Sequence, residues 1–234
     1  MSGPALQVEG ACRRFGGRIA LDGAACRVEL GSITGLIGPN GSGKSTLFNC
    51  IAGSDRLDSG RITMLGQDIT ASSPSEICQR GVGRTFQITR LFREMTVLEN
   101  LIAVAHGMTD AAAAARALDL LDMLEISTLR DNWASALSYG QRKLVEIGRA
   151  LMLEPKILLL DEPFAGINPR LQNKIVEHLA AIRRLGVTIL LIDHEMRIVL
   201  DLCDTLYVLD GGRVIANGPP AEIRADPRVI EAYF

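Results

Sequence analysis

The run Gly38-Pro39-Asn40-Gly41-Ser42-Gly43-Lys44-Ser45-Thr46 has the residue types and spacing of a loop that wraps a phosphate chain. Glycines let backbone N–H groups close on phosphate oxygens, Lys44 reaches the β- and γ-phosphates, and the Ser45 hydroxyl is placed to ligate Mg²⁺. The flanking residues agree with this. Ser32 to Ile37 reads as a buried strand, and Ser45 to Ala52 as a helix that Gly53 ends. Strand, loop and helix N-terminus together aim amide donors and a positive dipole end at the anion. Nucleoside triphosphate chemistry is therefore the first expectation.

Ile157-Leu158-Leu159-Leu160-Asp161-Glu162-Pro163 is an apolar strand with two carboxylates at its end. Ligands of open parallel sheets bind at strand C-termini, so the pair would sit beside the loop if the two strands are neighbours. Asp161 would then hold Mg²⁺ through water, and Glu162 would act as general base on the attacking water. Taken alone, the pair equally suits an acidic loop that caps the next helix. Leu137-Ser138-Tyr139-Gly140-Gln141-Arg142 opens a helix that runs toward Leu153 and stops before Pro155. Ser138 reads as its N-cap, while Ser and Gly at a helix N-terminus also make a second anion site. Two phosphate-binding helix ends in one chain suggest a nucleotide sandwiched between two copies. His194 follows the strand Val187 to Ile192. At such an edge it is either a donor to the γ-phosphate or a packed polar residue.

The elements that must position these residues alternate between strand-like runs and helical patterns, which predicts an α/β fold with a largely parallel sheet covered by helices. The first part is richer in β: Arg61 to Leu65 and Asp68 to Thr70 flank a Gly66-Gln67 turn, a hairpin pattern. From Thr96 to about Leu153 the pattern is helical, with an Ala111 to Ala115 tract and Leu118, Leu121 and Leu124 spaced for one face. Later, Leu171, Ile175, Leu179 and Ile182 share a face of a helix ended by Gly186. The 234 residues fit one large domain, and a net charge of −2 gives no broad basic surface for nucleic acid. Apolar content is 47%, yet unbroken apolar runs are strand-sized, far below the roughly 18 residues of a membrane helix. Met1 to Gly10 lacks the pattern of a secretory signal. Cys12, Cys26, Cys50, Cys78 and Cys203 are odd in number without a C-x-x-C pair, which predicts reduced, mostly buried thiols in an intracellular protein.

Taken in order, the loop at Gly38 to Thr46, Gln87, Leu-Ser-Tyr-Gly-Gln, Asp161-Glu162 and His194 resemble the nucleotide-binding subunit of an ATP-binding-cassette transporter, over essentially the whole chain. The resemblance implies a P-loop NTPase (RecA-like) core with a mainly parallel sheet at 1–95 and 154–234. It also implies an N-terminal antiparallel β subdomain and an α-helical subdomain inserted at about 96–153. It implies ATP and Mg²⁺ as ligands, with Ser45, Gln87 and Asp161 toward the metal. Phe15 would stack on adenine, and Gln87 would touch metal and water while linking the site to a membrane partner. Ser138 and Gly140 would contact the γ-phosphate held by an opposite subunit, with Gln141 in the same nucleotide-binding set. Glu162, Gln87 and His194 would form the catalytic group.

Gly83-Arg84-Thr85-Phe86-Gln87, Arg90 to Asn100, Ala165-Gly166-Ile167-Asn168-Pro169 and Asp226 to Tyr233 are similar to the ATPases of branched-chain amino acid importers. Glu162-Pro163-Phe164-Ala165-Gly166 also resembles the lipopolysaccharide-exporter ATPase, and soluble cassette ATPases outside transport share the same motifs. The importer resemblance implies a head-to-tail dimer with a second ATPase subunit, identical or related. It further implies integral membrane permease subunits, a solute-binding protein acting indirectly, and a peripheral place on the cytoplasmic face of the membrane. Solute choice would belong to those partners.

Overall fold

The computed structural model describes residues 3–233. The chain opens with β1 (Leu6–Phe15), β2 (Arg18–Val28), β3 (Ile33–Ile37), α1 (Lys44–Ile51), β4 (Ser59–Met64), β5 (Gln67–Asp68), α2 (Pro74–Gln79) and β6 (Val82–Arg84). The helices α3 (Val97–Ile102), α4 (Asp110–Met123) and α5 (Tyr139–Met152) follow. The chain closes with β7 (Ile157–Asp161), α6 (Pro169–Arg184), β8 (Thr188–Ile192), α7 (Met196–Leu202), β9 (Thr205–Asp210), β10 (Arg213–Gly218), α8 (Pro220–Ala225) and α9 (Pro227–Tyr233).

Two sheets result. The antiparallel one has the order β2-β1-β4-β5, and the larger one β10-β9-β3-β8-β7-β6. From β9 to β6 every pairing in the larger sheet is parallel, and only β10 runs antiparallel. Strands β3, β7 and β8 are buried along their whole length, which is why each reads as a continuous apolar run rather than an alternation. Their side chains still alternate between two cores. Ile33, Ile37, Leu158, Leu160, Ile189 and Leu191 face a core shared with α3 to α6, whereas Leu36, Leu159, Leu190 and Ile192 face one shared with α1 and the antiparallel sheet.

Three expectations shift in detail. Strand β8 lies between β3 and β7, so Asp161 and Glu162 approach the phosphate loop across one strand rather than from an adjacent one. The hairpin pairs Met64 with Gln67, which makes Leu65-Gly66 the turn in place of Gly66-Gln67. Both turn residues have positive φ, at 48° and 79°, as the tight twist-matched hairpin turn demands. On α4 the buried residues are Ala113, Ala117, Leu120 and Leu121, with Leu124 following, while Leu118 is exposed. The i, i+4, i+7, i+8 face passes beside Leu118.

Between β6 and β7 the regular elements are helical. Helix α5 is also a core element: Val145, Ile147 and Met152 share one apolar cluster with Leu158 and Leu160 of β7. Residues 1, 2 and 234, the outer ends of the expected core segments, lie outside the described residues. Of the cysteines, Cys26, Cys50 and Cys203 are buried and Cys12 and Cys78 are half-buried. Burial pushes the Cys26 thiol up to about 12.

Candidate functional site

Because β3, β6, β7 and β8 run parallel, their C-terminal ends share one edge of the sheet. The phosphate loop leaves β3, the Gln87 segment leaves β6, Asp161 and Glu162 end β7, and His194 follows β8. Residues scattered over more than half of the chain thus meet at that edge.

The loop is built so that only glycine fits at its ends. At Gly38 (φ 149°) a Cβ would lie 2.0 Å from the Leu209 carbonyl oxygen, and at Gly43 (φ 106°) one would lie 2.3 Å from that of Ala20. Lys44 opens α1, and its ammonium donates to the carbonyls of Gly38 at 2.8 Å and Pro39 at 2.9 Å, with Ser42 Oγ at 3.4 Å. Burial lowers the Lys44 pKa and the charge of Glu162 opposes that shift, so the two groups share one electrostatic field. Ser45, next along α1, is exposed at the helix start.

Asp161 is nearly buried, and burial raises its pKa; Arg84, 3.7 Å away, is the main opposing influence. Glu162 sits at φ 48°, a left-handed conformation that strains a non-glycine residue by about 1–3 kcal/mol. Its N–H donates to the Ile192 carbonyl at 2.8 Å, which ties the end of β7 to the end of β8. The Glu162 carboxylate accepts from the Gln87 amide at 3.1 Å and lies 3.9 Å from His194 Nδ1. Gln87, Glu162 and His194 therefore lie together in one polar group.

Ser138 caps α5. Its hydroxyl accepts from the Gln141 N–H at 3.3 Å, and the Gln141 side-chain oxygen accepts from the Ser138 N–H at 2.8 Å. The cap thus takes up the Gln141 side-chain oxygen. At Gly140 a Cβ would lie 2.2 Å from Leu171 Cδ2, so the absence of a side chain lets α5 approach α6. Helix α5 packs on α3, α4 and β6, whereas α1 packs on β2. The Tyr139 hydroxyl donates to the Gln87 carbonyl at 3.2 Å, which joins the Ser138 region to the Gln87 segment. Phe15, at the end of β1, is 46% exposed, and the Arg13 guanidinium lies 4.6 Å from the centre of its ring.

For Mg²⁺ the donors on offer are a hydroxyl (Ser45), a carboxylate (Asp161) and an amide oxygen (Gln87), all hard oxygen ligands. Among the described residues no group of three or more His, Cys, Asp or Glu gathers as a self-sufficient metal cage. Such a sparse set fits Mg²⁺, which commonly takes one or two carboxylates and completes its shell with water and nucleotide phosphates.

The ABC transporter family model matches residues 21–165. This chain belongs to the ABC transporter family. The cassette is 41% identical to a probable branched-chain amino acid transport ATP-binding protein LivG of Methanocaldococcus jannaschii, over 98% of this chain and 96% of that one. It is 38% identical to the high-affinity branched-chain amino acid transport ATP-binding protein LivG of Escherichia coli, over 100% and 99%. A crystal structure of a nucleotide-free ATP-binding cassette from an ABC transporter superposes with a TM-score of 0.90 at 40% identity, covering 99% of both chains. A second model, the branched-chain amino acid ATP-binding cassette transporter family, matches residues 213–234 of the cassette. The cassette is an ATPase of the ABC transporter family, and among its described residues no helix is long and apolar enough to cross a membrane.

Several residues that hold this site together were not singled out in the sequence. Arg84 donates to Asn49 at 2.6 Å and to Ser54 at 3.2 Å, linking α1 to Asp161. Asp193, 1% exposed, accepts from the N–H groups of Phe164, His194 and Glu195 and so ties the His194 turn to the segment that follows β7. Lys143 and Glu146 lie on buried faces of α5. Charges three apart inside an apolar helical stretch were the available signal for that pair.

Proposed function

We propose that the cassette hydrolyses ATP to drive uptake of a branched-chain amino acid or a similar small polar solute through membrane permease subunits. The observation that carries this reading is the Gln87–Glu162–His194 group at the same sheet edge as the phosphate loop, joined to full-length likeness to branched-chain amino acid transport ATP-binding proteins.

In this reading the loop from Gly38 to Thr46, with Pro39, Asn40, Gly41, Ser42 and Gly43 between its ends, wraps the triphosphate, and Lys44 neutralises it. Phe15 stacks on the adenine. Glu162 accepts a proton from water as the water oxygen bonds to the γ-phosphorus and the bond to the β-phosphate oxygen breaks, giving ADP and phosphate. His194 donates to the γ-phosphate and senses its loss. Ser45, Asp161 and Gln87 hold Mg²⁺, which when bound stabilises the charge on the phosphates. Ser138 and Gly140 complete the site of a second, head-to-tail cassette, with Gln141 holding the shape of that helix end. The segment 96–153 acts as a helical subdomain that, with the Gln87 segment, receives the permease at the cytoplasmic face of the membrane.

The experiment is purification of the tagged chain from native membranes, followed by reconstitution of the complex in vesicles. ATP-dependent accumulation of leucine, isoleucine or valine supports the reading. Recovery with a soluble partner and no permease would favour a cassette ATPase outside transport.

A further inference from the structure

Lys143 is 0% exposed, and its ammonium is shared among three backbone carbonyls: Phe86 at 2.7 Å, Gln87 at 3.3 Å and Asp161 at 3.3 Å. A lysine has three protons to donate, so these acceptors can use all of them. Glu146, one turn on, lies 3.7 Å from the ammonium. Its Oε1 accepts from the N–H groups of Phe86 at 3.2 Å and Arg90 at 3.4 Å. Phe86 is thereby held at its N–H by Glu146 and at its carbonyl by Lys143. Arg149, further along the same helix, donates to the Arg90 carbonyl.

A buried ion pair is weak evidence of stabilisation, because removing two charges from water offsets most of their attraction. Burial lowers the lysine pKa and raises that of the glutamate, and each partner's charge opposes the shift in the other. What the pair does supply is placement. Asp161 directly precedes Glu162, and Gln87 is the residue whose amide meets the Glu162 carboxylate. One ammonium therefore grips the backbone on both sides of that contact from the helix that Ser138 caps.

We propose that Lys143, steadied by Glu146, is a positioning residue that locks the Gln87 segment, the Asp161–Glu162 strand end and the N-terminal half of α5 into one unit, so that Gln87 and Glu162 keep their hydrolytic register. The inference rests on the roles given above to Gln87 and Glu162. A side chain that only filled the core would affect folding and leave the kinetics of the folded protein unchanged.

The test is a kinetic cycle on purified protein with Lys143→Met, Gln87→Ala and the double variant, each checked for folding by thermal unfolding. Misplacing reacting groups by about an ångström can slow a reaction by about a hundredfold. We expect Lys143→Met to lower kcat at least about tenfold while KM for ATP stays within about threefold, since the phosphate loop is untouched. The double variant should be no more than about twofold slower than the slower single, because both changes act on one contact. Lys143→Arg, which keeps a cation and its donors, should recover part of the loss. If Lys143→Met does not fold, Glu146→Gln enters the same cycle with the same expectations. Unchanged kcat in Gln87→Ala would overturn the site reading and the inference together. A slowed Gln87→Ala beside a folded Lys143→Met of normal kcat, or losses that multiply in the double variant, would overturn the inference alone.

Discussion

Gln87 and Glu162, 75 positions apart in the chain, meet through a 3.1 Å hydrogen bond from the Gln87 amide to the Glu162 carboxylate. The glutamate is held there by a strained φ of 48° and by its own N–H on Ile192. Its direction is therefore set by the ends of two strands rather than by local preference.

Glu162→Gln keeps the size and one oxygen to accept from the Gln87 amide, and removes the charge and the basicity. Turnover should fall by roughly 10² to 10⁴-fold with ATP affinity preserved. Steady-state phosphate release and equilibrium nucleotide binding measure the two quantities, and near-normal turnover would remove Glu162 as the base.

Lys44→Ala deletes the cation that the loop carbonyls of Gly38 and Pro39 hold in place. Charge-assisted contacts to phosphate make this a loss of at least about tenfold in ATP affinity, together with loss of hydrolysis. Unchanged affinity by calorimetry would contradict the phosphate-loop assignment.

Gly140→Ala sets two effects against each other. Alanine favours a helix by up to about 1 kcal/mol over glycine, whereas a Cβ 2.2 Å from Cδ2 of the half-buried Leu171 forces that flexible side chain aside, at about 0.5–1.5 kcal/mol. The two nearly cancel, so stability within about 1 kcal/mol of the parent is expected. Denaturant unfolding of the variant is the check. A loss of more than about 3 kcal/mol would show that Leu171 cannot turn aside.

His178 gives the fold a pH dependence of known sign. It is 5% exposed, its Nε2 has no hydrogen-bond partner among the described residues, and burial lowers its pKa against the opposing charge of Glu125. Below its ordinary value of about 6.5 the unfolded chain takes the proton first, so stability is lost as pH falls through 6.5 toward the depressed folded value and is flat above. His178→Leu should flatten that slope by up to about 1.4 kcal/mol per pH unit. Unfolding curves of the two proteins from pH 7.5 to 5 with identical slopes would exclude this role.

The regular elements around the site were legible because their signals are local. Ile33–Ile37 and Ile157–Asp161 declare themselves as strands buried on both faces, Gly38 and Gly43 mark a loop no other residue fits, and Ser138 announces a helix start. Leu118 and the Leu65-Gly66 turn were less legible, since a shift of one residue along a helix or hairpin changes little in pattern but moves a side chain to another face. The buried pair Lys143 and Glu146 was hidden for a different reason: a charged residue on a helix reads as solvent-facing until the carbonyls that receive it are known.

The sequence by itself thus determined the chemistry on offer: a phosphate loop, two carboxylates at a strand end, a capped helix start and a histidine after a strand. Only the tertiary structure decided how these meet. Strand order is set by non-local pairing, which inserted β8 between β3 and β7 and brought Gln87, Glu162 and His194 within a few ångströms of one another. It also tied the helix that Ser138 caps to the Gln87 segment, through the Tyr139 hydroxyl on the Gln87 carbonyl. Local periodicity carries no record of such pairings, since their energy arises only when distant apolar surfaces close on a common core.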